Sequence, residues 1–127
     1  MAPNAVTVPT PAELDILRVL WAKGPSSVRD VHEALDTGTG YTSTLKLMQM
    51  MHAKSMVIRD DSARQHIYAA ALNEEKTVTT LVNRFAKTIF EGSVGALALH
   101  ALGNGKTTRE ELAELKNLIR RKEKEQA

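Results

Sequence analysis

Several features are missing from this sequence of 127 residues, and each absence removes a class of function. The chain has no cysteine, so disulfides, thiolate metal sites and cysteine nucleophiles are excluded together, and a reducing compartment suits it. No apolar run approaches the roughly 18 residues that a membrane span needs, and the N-terminus lacks the pattern of a signal peptide. We therefore expect a cytoplasmic protein with no direct membrane insertion.

Neither sign of charge is in large excess. Lys and Arg number 17 against 15 Asp and Glu, which gives a formal net charge of +2 and a sequence pI near 9.0. Within residues 1–72, seven basic side chains balance seven acidic ones, so the surplus lies in the C-terminal part. Net charge alone does not indicate nucleic-acid binding. Binding of DNA by the first half would require basic groups gathered on one surface and two lobes per site.

Patterns typical of catalysis and of metal sites are also missing. The four histidines have no ligand-like spacing, no glycine-rich phosphate loop follows a predicted strand, and no nucleophile motif occurs. We interpret the pair His32 and Glu33 as solvated surface. A group of methionines at helical spacing is typical of core packing; it comprises Met48, Met50, Met51 and Met56. We predict no enzymatic activity, no cofactor and no metal.

The first half of the chain contains an ordered series of helix signals. Residues 1–9 show no periodicity and predict a disordered lead-in. Thr10, Pro11 and Glu13 form a capping box that begins the first helix, and Ser26 with Ser27 begins a second. A glycine-containing break at 36–40 precedes a third helix, which runs uninterrupted from 41 to 54.

The periodicity changes after the third helix. Runs compatible with β-strands at 55–59 and 65–70 flank the polar turn 60–64, which predicts a hairpin with a charged tip. Helix, helix, turn, helix and hairpin is the order of a winged helix-turn-helix. The sequence therefore predicts a mainly α fold with a small β-hairpin wing over residues 10–72.

Residues 73–127 predict three helices with apolar stripes, the last of which is capped by Thr108 with Glu111. About 55 residues bury too little surface to be stable alone, so we expect two copies to share a core as a homodimer. This part is accordingly predicted to be a helical dimerisation domain. The residues assigned to the interface are Leu81, Phe85, Ile89, Leu97, Leu102, Leu112 and Leu115.

The third predicted helix has the features of a DNA-recognition helix. Such a helix presents short polar side chains near its N-terminus, with charged groups around them that contact phosphates. Thr42 and Ser43 supply hydroxyls, Lys46 follows one turn later, and Tyr41 can contact the backbone or a thymine methyl. The alternative interpretation of Thr42 is a simple helix cap.

The predicted wing adds positive charge. Arg59 and Arg64 bracket its tip, where a wing crosses a phosphate backbone or enters a minor groove. Asp60 and Asp61 would repel phosphate unless they pair with these arginines. The predicted DNA-contacting residues are Tyr41, Thr42, Ser43, Lys46, Gln49, Arg59 and Arg64.

These segments resemble the penicillinase repressor family over residues 10–122. The resemblance is carried by residues 13–21, 27–35 and 41–48, by the stretch 90–93 and by the leucine-rich final helix. It implies a homodimeric transcriptional repressor of antibiotic-resistance genes that binds a palindromic operator in double-stranded DNA. It also implies relief of repression by proteolysis in the dimerisation region, under a membrane-bound sensor metalloprotease. The positions matching the cleaved bond are His100 and Ala101.

Two other functions are compatible with the same residues. One is a winged-helix regulator that a small ligand releases from DNA without cleavage. The other is a winged helix used for protein interaction, which predicts that Lys46→Glu leaves activity intact.

Overall fold

The structure, a computed structural model, describes residues 8–36 and 38–127. In this part of the chain it is mainly helical with one small antiparallel sheet, which confirms the predicted fold class. The elements in order are α1 (Pro11–Lys23), β1 (Ser26–Ser27), α2 (Val28–Leu35), α3 (Tyr41–Ala53), β2 (Val57–Asp60), β3 (Ile67–Ala70), α4 (Glu74–Phe90), α5 (Val94–Asn104) and α6 (Arg109–Gln126). The predicted disordered lead-in lies outside the described residues except for Val8 and Pro9, of which Pro9 is buried.

Side-chain caps begin α1 and α6 where the sequence predicts them. The Thr10 hydroxyl accepts a hydrogen bond from the N–H of Glu13 at 3.2 Å, and the Glu13 carboxylate accepts one from the N–H of Thr10 at 2.9 Å. Thr108 and Glu111 repeat this reciprocal arrangement at α6. Each pair satisfies backbone donors that the first helical turn leaves without a partner.

The sheet contains one more strand than the predicted hairpin. Ser26 and Ser27 pair with Tyr68 and Ile67 of β3, so the strand order is β1-β3-β2. Two residues are too short to show a strand pattern, and their partners are distant in sequence, so the strand left no local signal. Ser27 also caps α2 by accepting a hydrogen bond from the N–H of Asp30 at 3.1 Å.

The hairpin strands are shorter than predicted. Ser55, expected to begin the first of them, has a φ of 65° in the left-handed region. Its N–H donates to the carbonyl of His52 at 3.1 Å, so Ser55 belongs to the turn that ends α3. The strand begins at Val57 instead.

The helices and the sheet of the first part enclose one hydrophobic core. Trp21 closes one edge, since its Nε1–H donates to the carbonyl of Leu72 at 2.9 Å and fixes the chain where it leaves the wing. Three of the four methionines assigned to the core are buried, but Met50 is exposed. The buried core residues are Ile16, Leu17, Leu20, Val28, Val31, Met48, Met51, Met56, Val57 and Tyr68.

The chain divides into two compact units, with the boundary inside α4 between Leu81 and Val82. The hydrophobic core just described belongs to the first unit. Among residues 82–127, all of which the structure describes, Ala86 alone is buried. The second unit therefore has helices but almost no interior of its own. The domain boundary predicted at residues 72 and 73 stays a prediction.

Candidate nucleic-acid interface

Helix α3 has one buried face and one exposed polar face. Thr44, Met48 and Met51 point into the core, which fixes the rotation of the helix about its axis. The opposite face is exposed and carries Thr42, Ser43, Lys46 and Gln49. The N-cap is Gly40, which makes no side-chain capping bond, so Thr42 is not the cap. The structure brings together all four residues that the sequence assigned to the recognition face.

A polar contact joins α2 to α3. Nδ1 of His32 lies 2.9 Å from Oγ1 of Thr44, whose side chain is buried. His32 is therefore half-buried and bonded between helices, and its interpretation as solvated surface was wrong. A buried hydroxyl needs a partner, and the histidine supplies one. This bond fixes the N-terminal half of α3 against α2.

Tyr41, the first residue of α3, is held by two neighbours from α2. The ring of His32 meets it edge-on with centroids 5.8 Å apart, and the guanidinium of Arg29 lies 5.2 Å from the Tyr41 ring centre. The cation over the ring places a positive charge beside the N-terminus of α3. Sequence reasoning did not single out Arg29, because its link to Tyr41 depends on the angle between two helices.

A cleft separates α3 from the wing. It has a volume of about 230 Å³, and its wing side carries Arg64, Gln65 and His66, all exposed. Tyr41 lines the opposite side. The cleft thus opens between hydrogen-bonding groups and a cation, which suits a phosphate or a polar groove edge. The remaining lining residues are Val28, Leu45 and Tyr68.

The two predicted wing arginines differ in their surroundings. Arg59 is half-buried on β2, and its Nε lies 2.7 Å from Oδ1 of Asp61 as an ion pair, although among the described residues no acceptor is aligned with that N–H. The side chains of Tyr68 and Asp61, which lie close to the guanidinium, raise the pKa of Arg59. Arg64, in contrast, is exposed. Asp61 also lies 3.6 Å from Nε2 of His66.

The second acidic residue of the wing is engaged within the turn. Oδ1 of Asp60 accepts a hydrogen bond from the N–H of Ser62 at 2.9 Å. Hydrogen bonds from the Ser62 side chain and backbone lower the pKa of Asp60. Both aspartates therefore have partners inside the wing, which reduces the repulsion of phosphate that they would otherwise cause.

The C-terminal end of α3 is anchored to α1. Nζ of Lys54 lies 2.7 Å from Oε2 of Glu13, whose side chain is 2% exposed. Burial alone would raise the pKa of Glu13, but hydrogen bonds from Lys54 and Thr10 outweigh it and lower the pKa. The sequence assigned Glu13 only to the helix cap and contained no local signal for this pair.

A small recess lies beside α3, on the side that faces α1. Its volume is about 200 Å³, and Ile16, Leu35 and Leu47 contribute apolar side chains to it. Ser43 lies on its border. The recess therefore touches both the core and the exposed face of α3.

A comparison with known protein families identifies the family of this chain. The sequence model described as Penicillinase repressor matches residues 9–121, nearly the whole chain. The chain belongs to the penicillinase repressor family. This confirms the resemblance and makes the protein a member of a regulatory, DNA-binding family of transcriptional repressors, not of an enzyme family. A comparison with individually curated proteins gives no match.

Two structural features are absent from the described part of this penicillinase repressor family member. No helix there combines the length and the apolar character needed to cross a membrane. Among the same residues, no group of three or more His, Asp or Glu side chains is arranged to hold a metal ion.

Three of the seven residues assigned to dimerisation are exposed on the second unit of this repressor. Phe85 is 53% exposed and Ile89 57%, and Leu112 is also exposed. Leu97, Leu102 and Leu115 of the same unit are half-buried, as is Leu81 at the end of the first unit. Large apolar side chains rarely stay in water in such numbers on a monomer. Other large apolar side chains of this unit are also exposed: Val82, Val94, Leu99, Leu118 and Ile119.

His100 and Ala101, the residues predicted to flank a cleaved bond, lie within α5. His100 and Ala101 are both exposed, and their carbonyls accept hydrogen bonds from the Asn104 side chain at 2.9 Å and from the N–H of Gly105 at 2.8 Å. The His100 ring also lies 5.7 Å from the ring of Phe90. The bond between them is accessible but held in helical conformation.

Proposed function

We propose that this penicillinase repressor family member acts as a homodimer that reads a palindromic operator in double-stranded DNA. The observation that carries the proposal is the exposed face of α3, on which Thr42, Ser43, Lys46 and Gln49 lie side by side while the opposite face is fixed in the core. Hydroxyl, amide and ammonium groups are suited to base edges and phosphates in a major groove. Residues 10–72 form the DNA-binding domain in this proposal.

Residues at the N-terminus of α3 and on the wing are proposed to contact the phosphate backbone. Tyr41 and Arg29 lie at the N-terminus of the helix, and Arg64 lies across the cleft on the wing. Such contacts orient a protein on the duplex without reading its sequence. Arg59 is proposed to act in two ways. Its ion pair with Asp61 orders the wing, and the part of its positive charge that Asp61 does not neutralise attracts phosphate.

The C-terminal helices, residues 73–127, are proposed to form the dimer interface. A second copy would cover exposed apolar side chains such as Phe85, Ile89 and Leu112, which the chain itself leaves in water. Dimerisation also compensates for the balanced charge of the first half, because a second lobe bound nearby acts at a high effective concentration. Each lobe alone would bind weakly.

Release from DNA is proposed to follow proteolysis between His100 and Ala101, triggered by a membrane-bound sensor metalloprotease. Because this bond lies in α5, the helix has to unwind locally before a protease can bind it in extended form. Cleavage would separate α6 from the rest of the interface and lower the effective concentration of the second lobe. A repressor of resistance genes works beside the chromosome, so we expect it in the cytoplasm.

A second mode of release is favoured by one observation, the apolar recess between α1 and α3. A small apolar ligand in that space of about 200 Å³ would contact Ser43 and shift the reading face. The two modes differ in the state of the chain after release. Intact protein of full mass, freed from DNA by a ligand, supports the second mode, whereas fragments ending at His100 support the first.

The DNA-reading role of α3 is tested by charge removal on two surfaces. We expect Lys46→Ala to weaken duplex binding and to reduce the salt dependence by about one phosphate contact. Lys23→Ala, which removes an exposed charge at the end of α1, is the matched control and should have a small effect. Anisotropy titrations at several salt concentrations measure both. Equal losses for the two variants would contradict the proposed role of α3.

A further inference from the structure

One side chain on α3 does not fit the polar character of its exposed face. Met50 is 47% exposed, whereas its neighbours in the methionine group, Met48 and Met51, are completely buried. The core therefore does not account for Met50. A single exposed methionine is ordinary on a protein surface, so the significance of Met50 depends on where it lies on α3.

The position of Met50 places it among the proposed base-reading residues. It follows Lys46 by four residues and Ser43 by seven, and these spacings align side chains along one side of a helix. The flanks of the helix are defined by Leu45, which lines the cleft towards the wing, and by Leu47, which lines the recess towards α1. Met50 lies on the exposed sector that Lys46 occupies between these flanks.

The chemistry of the side chain restricts what it can read. A thioether has no hydrogen-bond donor and is only a weak acceptor, so it cannot replace the polar contacts that distinguish guanine, adenine or cytosine edges. The major-groove edges of the base pairs offer one apolar group, the C5 methyl of thymine. Methionine is flexible and polarisable, which lets it adapt to such a contact.

We propose that Met50 is a specificity-determining residue that packs against the C5 methyl of an operator thymine. This inference rests on the proposed function, because it requires that the exposed face of α3 enters the major groove. It specifies one of the bases that the exposed face of α3 would recognise. An operator with a thymine facing Met50 would be preferred over one with any other base there.

The test compares thymine with uracil, which lacks only the C5 methyl. Full-length protein first selects a tight-binding duplex from a random pool, and each thymine of that site is then replaced singly by uracil. We expect one position per half-site at which the wild type loses about fourfold in affinity, the effect of one buried methyl. Met50→Ala should lose the same affinity for the thymine duplex and no longer distinguish the two bases at that position.

Two variants serve as controls. Met50→Leu keeps an apolar side chain of similar volume and should retain the preference for thymine. Gln49→Ala removes the neighbouring exposed side chain and should lower affinity without changing the ratio of thymine to uracil binding at that position. Met50 is exposed, so thermal melting of its variants should match the wild type.

The outcomes separate this inference from the function on which it rests. If the wild type selects a site but Met50→Ala keeps the full preference for thymine at every position, the role of Met50 is wrong and DNA reading by α3 stands. If Met50→Ala instead loses binding to another protein while its DNA binding is intact, Met50 is a protein contact and the inference fails. If the wild type selects no duplex, both proposals fail.

Discussion

Nζ of Lys54, just after α3, lies 2.7 Å from Oε2 of Glu13 in the first turn of α1. The two side chains are unequal, since that of Lys54 is 43% exposed and that of Glu13 is 2% exposed. The lysine can turn to water if its partner is lost, but the carboxylate cannot. The contact therefore makes the C-terminal end of the proposed reading helix depend on a buried charge.

We predict that Lys54→Met destabilises the protein more than Glu13→Gln. The first leaves a buried carboxylate without its cation and should cost about 1–3 kcal/mol, while the second leaves a lysine that solvent can reach and should cost about 1 kcal/mol. Urea unfolding at neutral pH measures both values. Glu33→Gln, at an exposed carboxylate on α2, is the control, and a larger loss for Glu13→Gln than for Lys54→Met would contradict this account.

The same pair predicts a pH dependence of stability. The pKa of Glu13 is lower in the folded protein than in the unfolded chain, so its contribution is complete above the unfolded pKa and is lost as pH falls through the folded pKa. We expect unfolding free energy to fall on the acid side in the wild type and to fall less in Glu13→Gln. Urea unfolding across the acid range provides the measurement, and parallel pH profiles for the two proteins would count against a lowered pKa.

The wing aspartates provide a prediction about DNA affinity. Asp61→Asn frees Arg59 and His66 from their acidic neighbour and should strengthen binding to random duplex at low salt by about threefold. Asp60→Asn makes the same change in net charge but leaves the pair between Arg59 and Asp61 in place, so we expect a smaller gain. Anisotropy titrations compare the two, and equal gains would show that only net charge matters.

The apolar surface of the second unit predicts the effect of a buried charge on assembly. Leu97→Asp places a carboxylate in the proposed interface and should weaken dimerisation at least tenfold, because an ionised group is costly to remove from water. Asn83→Asp adds the same charge on the side of α4 away from the apolar stripe and should leave the dimer intact. Sedimentation at low concentration measures the mass, and an unchanged dimer in Leu97→Asp would contradict the interface.

Much of the fold was predictable because its signals are local. The capping pairs of Thr10 with Glu13 and of Thr108 with Glu111 are three residues apart, and both begin helices as predicted. The exposed face of α3 follows from helical periodicity in the same way. Such features depend on neighbours in sequence, so the chain alone specifies them.

The features that the sequence did not predict depend on contacts between distant residues. Strand β1 exists only because Ser26 and Ser27 meet β3, and the burial of Glu13 requires Lys54 from the far end of another helix. His32 was interpreted as surface because nothing beside it in the sequence indicates Thr44 as a partner. Met50 is an exception, because its position two residues after Met48 and one before Met51 already places it off the buried face of α3, and its assignment to the core overlooked this periodicity.

Two copies of this repressor are proposed to read one symmetric DNA site through α3. The most direct measurement is selection of duplexes from a random pool by the full-length protein, followed by titration of the recovered site and by the stoichiometry of the complex. We predict an inverted repeat with half-site centres about 10 base pairs or a multiple apart, bound by two protomers and more tightly than random duplex. No enrichment, or binding no tighter than to random duplex at any salt concentration, would contradict the claim.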